Sequence, residues 1–255
     1  MSSKFSSRSH APMILHFCAL PAAKNAVRTL RPMIVGHQGA RFVVRGNTLQ
    51  AFRYALENGA DAVECDVWRL RDGSLAVHHD REVQIGNKKY DIKSFTLGQL
   101  KRYLPYVPSL KEVLSLVVEG YKKRLFVELK DPSPLAAEAL DKALEGWEMV
   151  TVISFYAPQL KRLKYPSKGL LFTVRPLTLR GLVEGLELEW VAPRRDMADR
   201  ELVGEAKELG LKVLTWLHNR PKEVREALEL GVEAFATDRP DLARAWLEKA
   251  LREGG

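Results

Sequence analysis

From Met33 onward, short apolar runs alternate with longer amphipathic periods, and this alternation limits the fold more than any other feature of the chain. "MIVGH" (33–37), "DAVECDVW" (61–68), "SLAVHHD" (74–80) and "RLFVELK" (124–130) read as strands. Further strands are expected at 149–155, 169–174, 188–192, 211–217 and 233–237. Helical periods fall at 47–59, 110–121, 134–145, 157–163, 177–186, 199–209, 221–229 and 240–252. In the first of these, Leu49, Phe52 and Leu56 make one stripe, Asn47 or Thr48 can cap the start, and Gly59 ends it. Repeated strand–helix units predict a mostly parallel sheet covered by helices. About eight such units in 255 residues favour a TIM (β/α)8 barrel over an open doubly wound sheet. No Gly-rich phosphate loop follows the first strand, which removes the usual argument for a dinucleotide-binding fold. Nine strands are one too many for the barrel. The link from Asp66 to Ser74 is too short for a crossover helix, so strands 61–68 and 74–80 pair antiparallel or a terminal strand lies outside. Residues 81–108 read as an irregular, polar and short insertion after the third strand.

The strand 61–68 is unusual in its chemistry. Val63, Cys65 and Val67 form one wholly apolar face, suited to packing under helices, while Glu64, Asp66 and Trp68 form the other. Ionisable groups are costly to bury unless they are paired or bound to a metal. Two carboxylates at i and i+2 repel unless a cation lies between them, and oxygen ligands favour Mg2+, Ca2+ or Mn2+ over zinc or copper. "FVELK" repeats the arrangement with Glu128 and Lys130 on one face, which makes Glu128 a candidate third ligand and Lys130 a fixed cation beside it. His37 ends the first strand and His79 ends the strand 74–80, so both fall where barrel active sites collect. His78 and His79 point to opposite faces, and only one of them can join a site. Two imidazoles beside a divalent cation suit a displacement that needs one general base and one general acid. His10, His16 and His218 are expected to be structural.

Composition bounds the rest. With 46% hydrophobic and 28% charged residues, the chain suits one folded domain over 32–255. No apolar run approaches the ~20 residues of a membrane span. Two cysteines, Cys18 and Cys65, form no motif, so a reduced, cytoplasmic protein is expected. The net charge of +8 resides in residues 1–56, which hold eight basic residues and no acid. A nucleic-acid face would spread its charge over folded elements, so no nucleic-acid partner is expected. Residues 1–31 read as a poorly ordered extension, with only a faint likeness to an export signal.

The residues above also carry a resemblance. "GHQGARFVVRGNTLQAFRYALENGADAVECDVWRLRDGSLAVHHD" resembles the glycerophosphodiester phosphodiesterases, whose signature runs His-Arg-Gly, Glu-Asn-Thr, Ala-Phe, Gly-Ala-Asp, Glu-x-Asp-Val, Asp-Gly and His-Asp. "VPSL", "VELK", "VISF", "VLTW" and "ATDRPD" continue the likeness in order, to about residue 245. The resemblance implies a TIM barrel that hydrolyses glycerophosphodiesters to glycerol phosphate and an alcohol with a divalent metal. It implies Glu64, Asp66 and Glu128 as ligands, His37 and His79 as acid and base, Lys130 on the phosphate side and Trp216 lining the cleft. The chain departs from the pattern in four places. Gln38 stands for the phosphate-gripping arginine, which a glutamine cannot replace in charge or geometry. Gly46 stands for the glutamate of Glu-Asn-Thr, and the two losses are linked if that glutamate orients that arginine. The segment after His79-Asp80 is short, implying a reduced lid, and "WLHN" replaces Trp-Thr-Val-Asn. Arg41 or Arg45 is expected to supply the missing cation. The similar phospholipase D-like enzymes, such as sphingomyelinase D, leave lysophospholipid or another lipid head group as the alternative substrate. A non-catalytic binder is disfavoured because every implied ligand and both histidines are present.

Overall fold

The computed structural model describes residues 31–253. Eight parallel strands close into a barrel: β1 (Met33–Gly36), β2 (Ala62–Arg69), β6 (Arg124–Leu129), β7 (Val150–Ser154), β8 (Lys168–Phe172), β9 (Trp190–Pro193), β10 (Lys212–Trp216) and β11 (Ala234–Thr237). The closure is the β1–β2 pairing, Val35 with Ala62 and Gly36 with Val63. The ninth strand, β3 (Leu75–Val77), pairs antiparallel with β2 outside the barrel, the first of the two expected solutions.

Two layers of apolar side chains hold the barrel. Outward residues of β2 and β6, among them Val63, Cys65, Val67, Val127 and Leu129, pack under α1 (Leu49–Glu57), α3 (Leu110–Leu114) and α4 (Pro134–Ala143). Val35, Ala62, Phe126, Ile153, Trp190 and Leu214 fill the interior. Each strand alternates between these layers, as its pleat requires. Toward the strand C-terminal ends of β2 and β6 the interior turns acidic, where Glu64, Asp66 and Glu128 point inward. The remaining helices are α5 (Ala157–Arg162), α6 (Leu179–Val183), α7 (Arg200–Glu208), α8 (Pro221–Leu230) and α9 (Pro240–Glu253). The expected helix 110–121 is α3 continued by a wider π turn over Ser115–Gly120.

Residues 81–108 are not irregular. They fold as a hairpin, β4 (Glu82–Ile85) and β5 (Lys88–Asp91), followed by a 3-10 turn (Ile92–Ser94) and α2 (Leu97–Tyr103). The Gly86-Asn87 connection, with Gly86 at φ 60°, is a tight hairpin turn. Trp68, Leu70, Val83, Ile92, Leu100 and Val107 give this insertion a small core of its own. Lys93 Nζ, 2.9 Å from Asp131 Oδ1, ties it to the loop after β6. The extension 1–31 lies outside the described residues apart from Arg31, and so does Cys18; Cys65 is a free, buried thiol. No helix among the described residues is long and apolar enough to cross a membrane.

Candidate active site

The register of two adjacent strands builds the acidic cluster. Asp66 of β2 stands opposite Glu128 of β6, and Glu64 lies two residues before Asp66 on the same face. One oxygen from each of the three carboxylates lies within 4.8 Å of the other two. Neutral donors hold the outer oxygens. The Gln38 backbone N–H donates to Glu64 Oε2 at 3.0 Å. Gln38 Nε2 and Asn47 Nδ2 both donate to Asp66 Oδ2, at 2.9 and 2.7 Å. Among the described residues, Glu64 Oε1 and Asp66 Oδ1 are buried without a hydrogen bond. Carboxylate oxygens that converge in a buried place without a hydrogen bond fit a hard divalent cation, so the cluster can hold a metal ion.

Electrostatics point the same way. Burial, and then the charges of Asp66 and Glu128, push the Glu64 carboxyl well above its ordinary range. Burial and Asp66 raise Glu128 to about 7, against the pull of Lys130. Lys130 Nζ sits 3.0 Å from Glu128 Oε1 and 3.4 Å from Asp66 Oδ1. Burial works against its ammonium, but the two acids outweigh that and hold it charged above the usual lysine range. One ammonium for three carboxylates leaves an excess of negative charge that a divalent cation would neutralise.

Two imidazoles face the same cleft, each oriented by a carboxylate. His37 Nδ1 is 2.7 Å from Asp238 Oδ1, and His37 Nε2 is 3.9 Å from Glu64 Oε2. Asp238 is itself fixed: Asn219 Nδ2 donates to its Oδ2 at 2.7 Å, and its own N–H donates to Asn219 Oδ1 at 2.8 Å. Although burial opposes it, these partners hold the Asp238 carboxyl below the ordinary range. His79 Nδ1 is 2.7 Å from Asp80 Oδ1, a bond that lowers the Asp80 carboxyl. The Trp68 indole N–H donates to the His79 carbonyl at 3.1 Å, and the His78 N–H to the Asp66 carbonyl at 2.9 Å. The antiparallel β3 thus carries His79 to the mouth of the barrel. His78 turns away, with Nδ1 2.8 Å from the Asp80 carbonyl.

The cleft encloses about 210 Å3. Its charged wall is His37, Arg41, Glu64, His79, Glu128 and Lys130; the opposite wall includes Ile153, Phe155, Leu171, Leu214 and Trp216. No side chain of residues 81–108 lines it. Of the sequence-predicted residues, the structure brings His37, His79, Glu64, Asp66, Glu128, Lys130 and Trp216 together. It does not bring Arg45. The Arg45 guanidinium lies 4.3 Å from the Tyr106 ring centroid and lines a separate groove beside Lys101 and Pro105. Stacking on an aromatic face of the insertion holds it there, and Arg41 is the loop cation that reaches the cleft. His218 is structural: it is buried between the Glu223 carbonyl and Thr215 Oγ1, and burial lowers its imidazole to about 4.

Sequence reasoning left three residues outside the site. Asp238 lies in the quoted "ATDRPD", and Asn219 in "WLHN". Asn47 was an alternative helix cap; Thr48 Oγ1 takes that task by accepting from the Ala51 N–H at 3.1 Å, and Asn47, at φ 57°, turns its amide onto Asp66.

A family model described as the glycerophosphoryl diester phosphodiesterase family matches residues 37–242. The chain is 29% identical over 252 residues to a glycerophosphodiester phosphodiesterase of Caldanaerobacter subterraneus subsp. tengcongensis, covering 89% of this chain and 100% of the relative. A solved glycerophosphodiester phosphodiesterase from Thermotoga maritima superposes with a TM-score of 0.72 at 24% identity, over 83% of this chain and 96% of that one. An Oleispira antarctica phosphodiesterase, solved in complex with the product sn-glycerol-3-phosphate, superposes with a TM-score of 0.75 at 22% identity, over 85% and 97%. At these identities the two structures establish the shared barrel.

Proposed function

The chain belongs to the glycerophosphoryl diester phosphodiesterase family and is a phosphoric diester hydrolase, and from that premise we propose that it cleaves glycerophosphodiesters to glycerol phosphate and an alcohol by acid–base work of His37 and His79 beside a divalent cation. The observation that carries this reading is the single cleft shared by two carboxylate-oriented imidazoles and a three-carboxylate cluster. A carboxylate at Nδ1 keeps the proton on that nitrogen, which leaves Nε2 of each ring to work on the substrate. One Nε2 takes the proton of the attacking oxygen, from water or from the vicinal glycerol hydroxyl. The other gives a proton to the departing alkoxide. Glu64, Asp66 and Glu128 would hold Mg2+, Ca2+ or Mn2+, and the cation when bound supplies neutralisation of the phosphate oxygens.

Gln38 has turned its amide onto Asp66, so gripping of the phosphate falls to Lys130 and Arg41 on the charged wall. Lys130 stays charged between its two acids, and Arg41 offers the guanidinium fork that Gln38 lacks. Trp216 closes the opposite wall, its indole N–H donating to the Ala192 carbonyl at 2.9 Å.

The test is hydrolysis of sn-glycero-3-phosphocholine by purified protein in excess chelator, followed by Mg2+, Ca2+ and Mn2+ restored in turn. Release of glycerol phosphate is expected to stop in chelator and return with at least one cation. Folded protein that never releases glycerol phosphate with any of them would end the reading.

A further inference from the structure

The insertion 81–108 contributes no side chain to the cleft, yet it meets the charged wall from behind, at the loop that follows β6. Lys130 points into the cleft. Asp131, the next residue, is not part of the cleft lining and meets the insertion instead, with Lys93 Nζ 2.9 Å from its Oδ1. Asp131 has no exposed surface. Its Oδ1 also accepts the Ser133 N–H at 2.9 Å, and its Oδ2 is buried without a hydrogen bond among the described residues. A buried carboxylate that loses its cationic partner is left with an uncompensated charge. The Lys93 pair therefore fixes the chain at a point one peptide away from Lys130.

Lys93 is itself held firmly. It lies in the 3-10 turn Ile92–Ser94, and its backbone N–H donates to Asp91 Oδ1 at 2.9 Å. Arg81 Nη2 donates to the other oxygen of Asp91 at 2.7 Å. Ile92, beside Lys93, is fully buried in the same small core as Trp68. Trp68 donates its indole N–H to the His79 carbonyl. One apolar core thus backs His79 through Trp68, and backs Lys130 through Lys93 and Asp131. On its own strand Lys130 is held by its backbone N–H, which donates to the Val67 carbonyl at 3.1 Å.

Resting on the diesterase reading, in which Lys130 grips the phosphate, we propose that Lys93 and Asp131 are positioning residues for Lys130. The insertion then sets where that ammonium stands on the charged wall without touching the substrate. His37 takes its orientation from Asp238 and Asn219, which this pair does not contact. Loss of the Lys93 charge should therefore weaken phosphate binding and leave proton transfer nearly as it was.

The experiment compares wild type, Lys93→Met, Lys93→Arg, Lys130→Met and the combined Lys93→Met/Lys130→Met. Each is measured for kcat and KM on glycerophosphocholine with cation, for thermal unfolding, and for binding of sn-glycerol-3-phosphate by tryptophan fluorescence, which needs no turnover. Lys93→Met is expected to raise KM and weaken glycerol phosphate binding by about three- to tenfold, a common size of coupling within one ion-pair network, with kcat within about twofold. Lys93→Arg keeps the charge and should recover most of the loss. In the Lys130→Met background, Lys93→Met should weaken binding no further. Lys89→Met, which breaks an exposed pair with Glu82 on the hairpin, should change neither binding nor KM. Should Lys93→Met fail to fold, Lys93→Met/Asp131→Asn removes the stranded charge and leaves the tether broken, and the same loss of binding is expected from it.

A lowered melting temperature with wild-type binding and KM would make the pair purely structural and overturn the proposal. So would an equal loss of binding with and without Lys130, or wild-type binding in Lys93→Met/Asp131→Asn. Any of these results beside normal wild-type turnover would leave the diesterase standing. The expected binding pattern in protein that turns over no diester would end the diesterase reading and keep the positioning of Lys130. Folded wild type that neither binds glycerol phosphate nor cleaves the diester would end both.

Discussion

Removing one charge from the acidic cluster is expected to stabilise the cation-free protein, an effect opposite to that of most substitutions of buried residues. Glu64 and Glu128 both have folded-state carboxyls raised by burial and then by the charge of Asp66. A group raised in the folded state binds more protons there than in the unfolded chain, so stability falls as pH rises through the window between the two values. For Glu128 that window runs from its ordinary 4.5 to about 7. A displacement of this size corresponds to about 3 kcal/mol between the protonated and ionised folded forms. A divalent cation at about 100 times its dissociation constant returns ~2.7 kcal/mol. For a domain of this size that is about 5–10 °C in Tm. Glu64→Gln keeps the oxygen that accepts the Gln38 N–H and removes one negative charge from the cluster. The assay is thermal unfolding at pH 5 and pH 8, in chelator and in each cation, for wild type and variant. In chelator the variant should melt above wild type at pH 8 and approach it at pH 5; with cation the order should reverse at pH 8, because the variant has lost a ligand. Comparison between the two proteins cancels the other acids, whose lowered carboxyls give stability that is lost only as pH falls below about 4. Equal cation shifts in the two proteins, or a wild type in chelator that gains on the variant between pH 5 and 8, would refute the reasoning.

The proposed catalytic groups give sharper activity tests. His37→Ala and His79→Ala should each lower turnover about 10²- to 10⁴-fold, and unchanged kinetics in either removes the two-imidazole mechanism. Asp238→Asn retains an oxygen near His37 Nδ1 but loses the charge, so kcat should drop about 10²-fold or more with KM little altered and the pH–rate profile moved; an unmoved profile would make Asp238 a purely structural neighbour. Arg41→Ala should raise KM for a phosphodiester at least several-fold, whereas Arg45→Ala, which loses only its stacking on Tyr106, should not; the reverse result would return Arg45 to the cleft. Gly46→Glu places a Cβ 2.7 Å from Gln38 Oε1 and should cost about 1–3 kcal/mol by chemical denaturation. Adding Gln38→Arg to Gly46→Glu should recover part of that loss, and strict additivity would show that the two positions do not communicate.

The barrel was legible because each strand had to be apolar outward and the helices amphipathic, and both periods are written in the chain. The acidic cluster was legible for the converse reason: Glu64, Asp66 and Glu128 occupy positions where a core strand has no use for charge. The β4–β5 hairpin escaped because only Val83 among its strand residues is fully buried, so the two-residue alternation of a half-buried strand is missing. Gly86-Asn87 was the available signal. Asp238 escaped because it lies 201 residues from His37 and becomes its neighbour only when β11 closes against β1. Arg45 was misplaced because its partner, Tyr106, belongs to an insertion whose fold the sequence pattern did not reveal.

The two departures at positions 38 and 46 are one structural feature. Gln38 has a positive φ of 49°, donates its backbone N–H to Glu64 and its side-chain amide to Asp66, and so braces two of the three candidate ligands at once. Its side chain occupies the space where any residue at 46 would place a Cβ, so a glycine there is the condition for that pose. Asn47, next in the chain, supplies a second neutral amide to the same Asp66 oxygen. The acidic cluster is therefore held in shape by amides instead of by an arginine, and among the described residues Lys130 is the ammonium that offsets its charge. A site arranged in this way places more of the work of neutralisation on the cation it binds. Its dependence on that cation should be correspondingly steep, and its grip on phosphate should rest on Arg41, a side chain the cluster does not need for its own geometry.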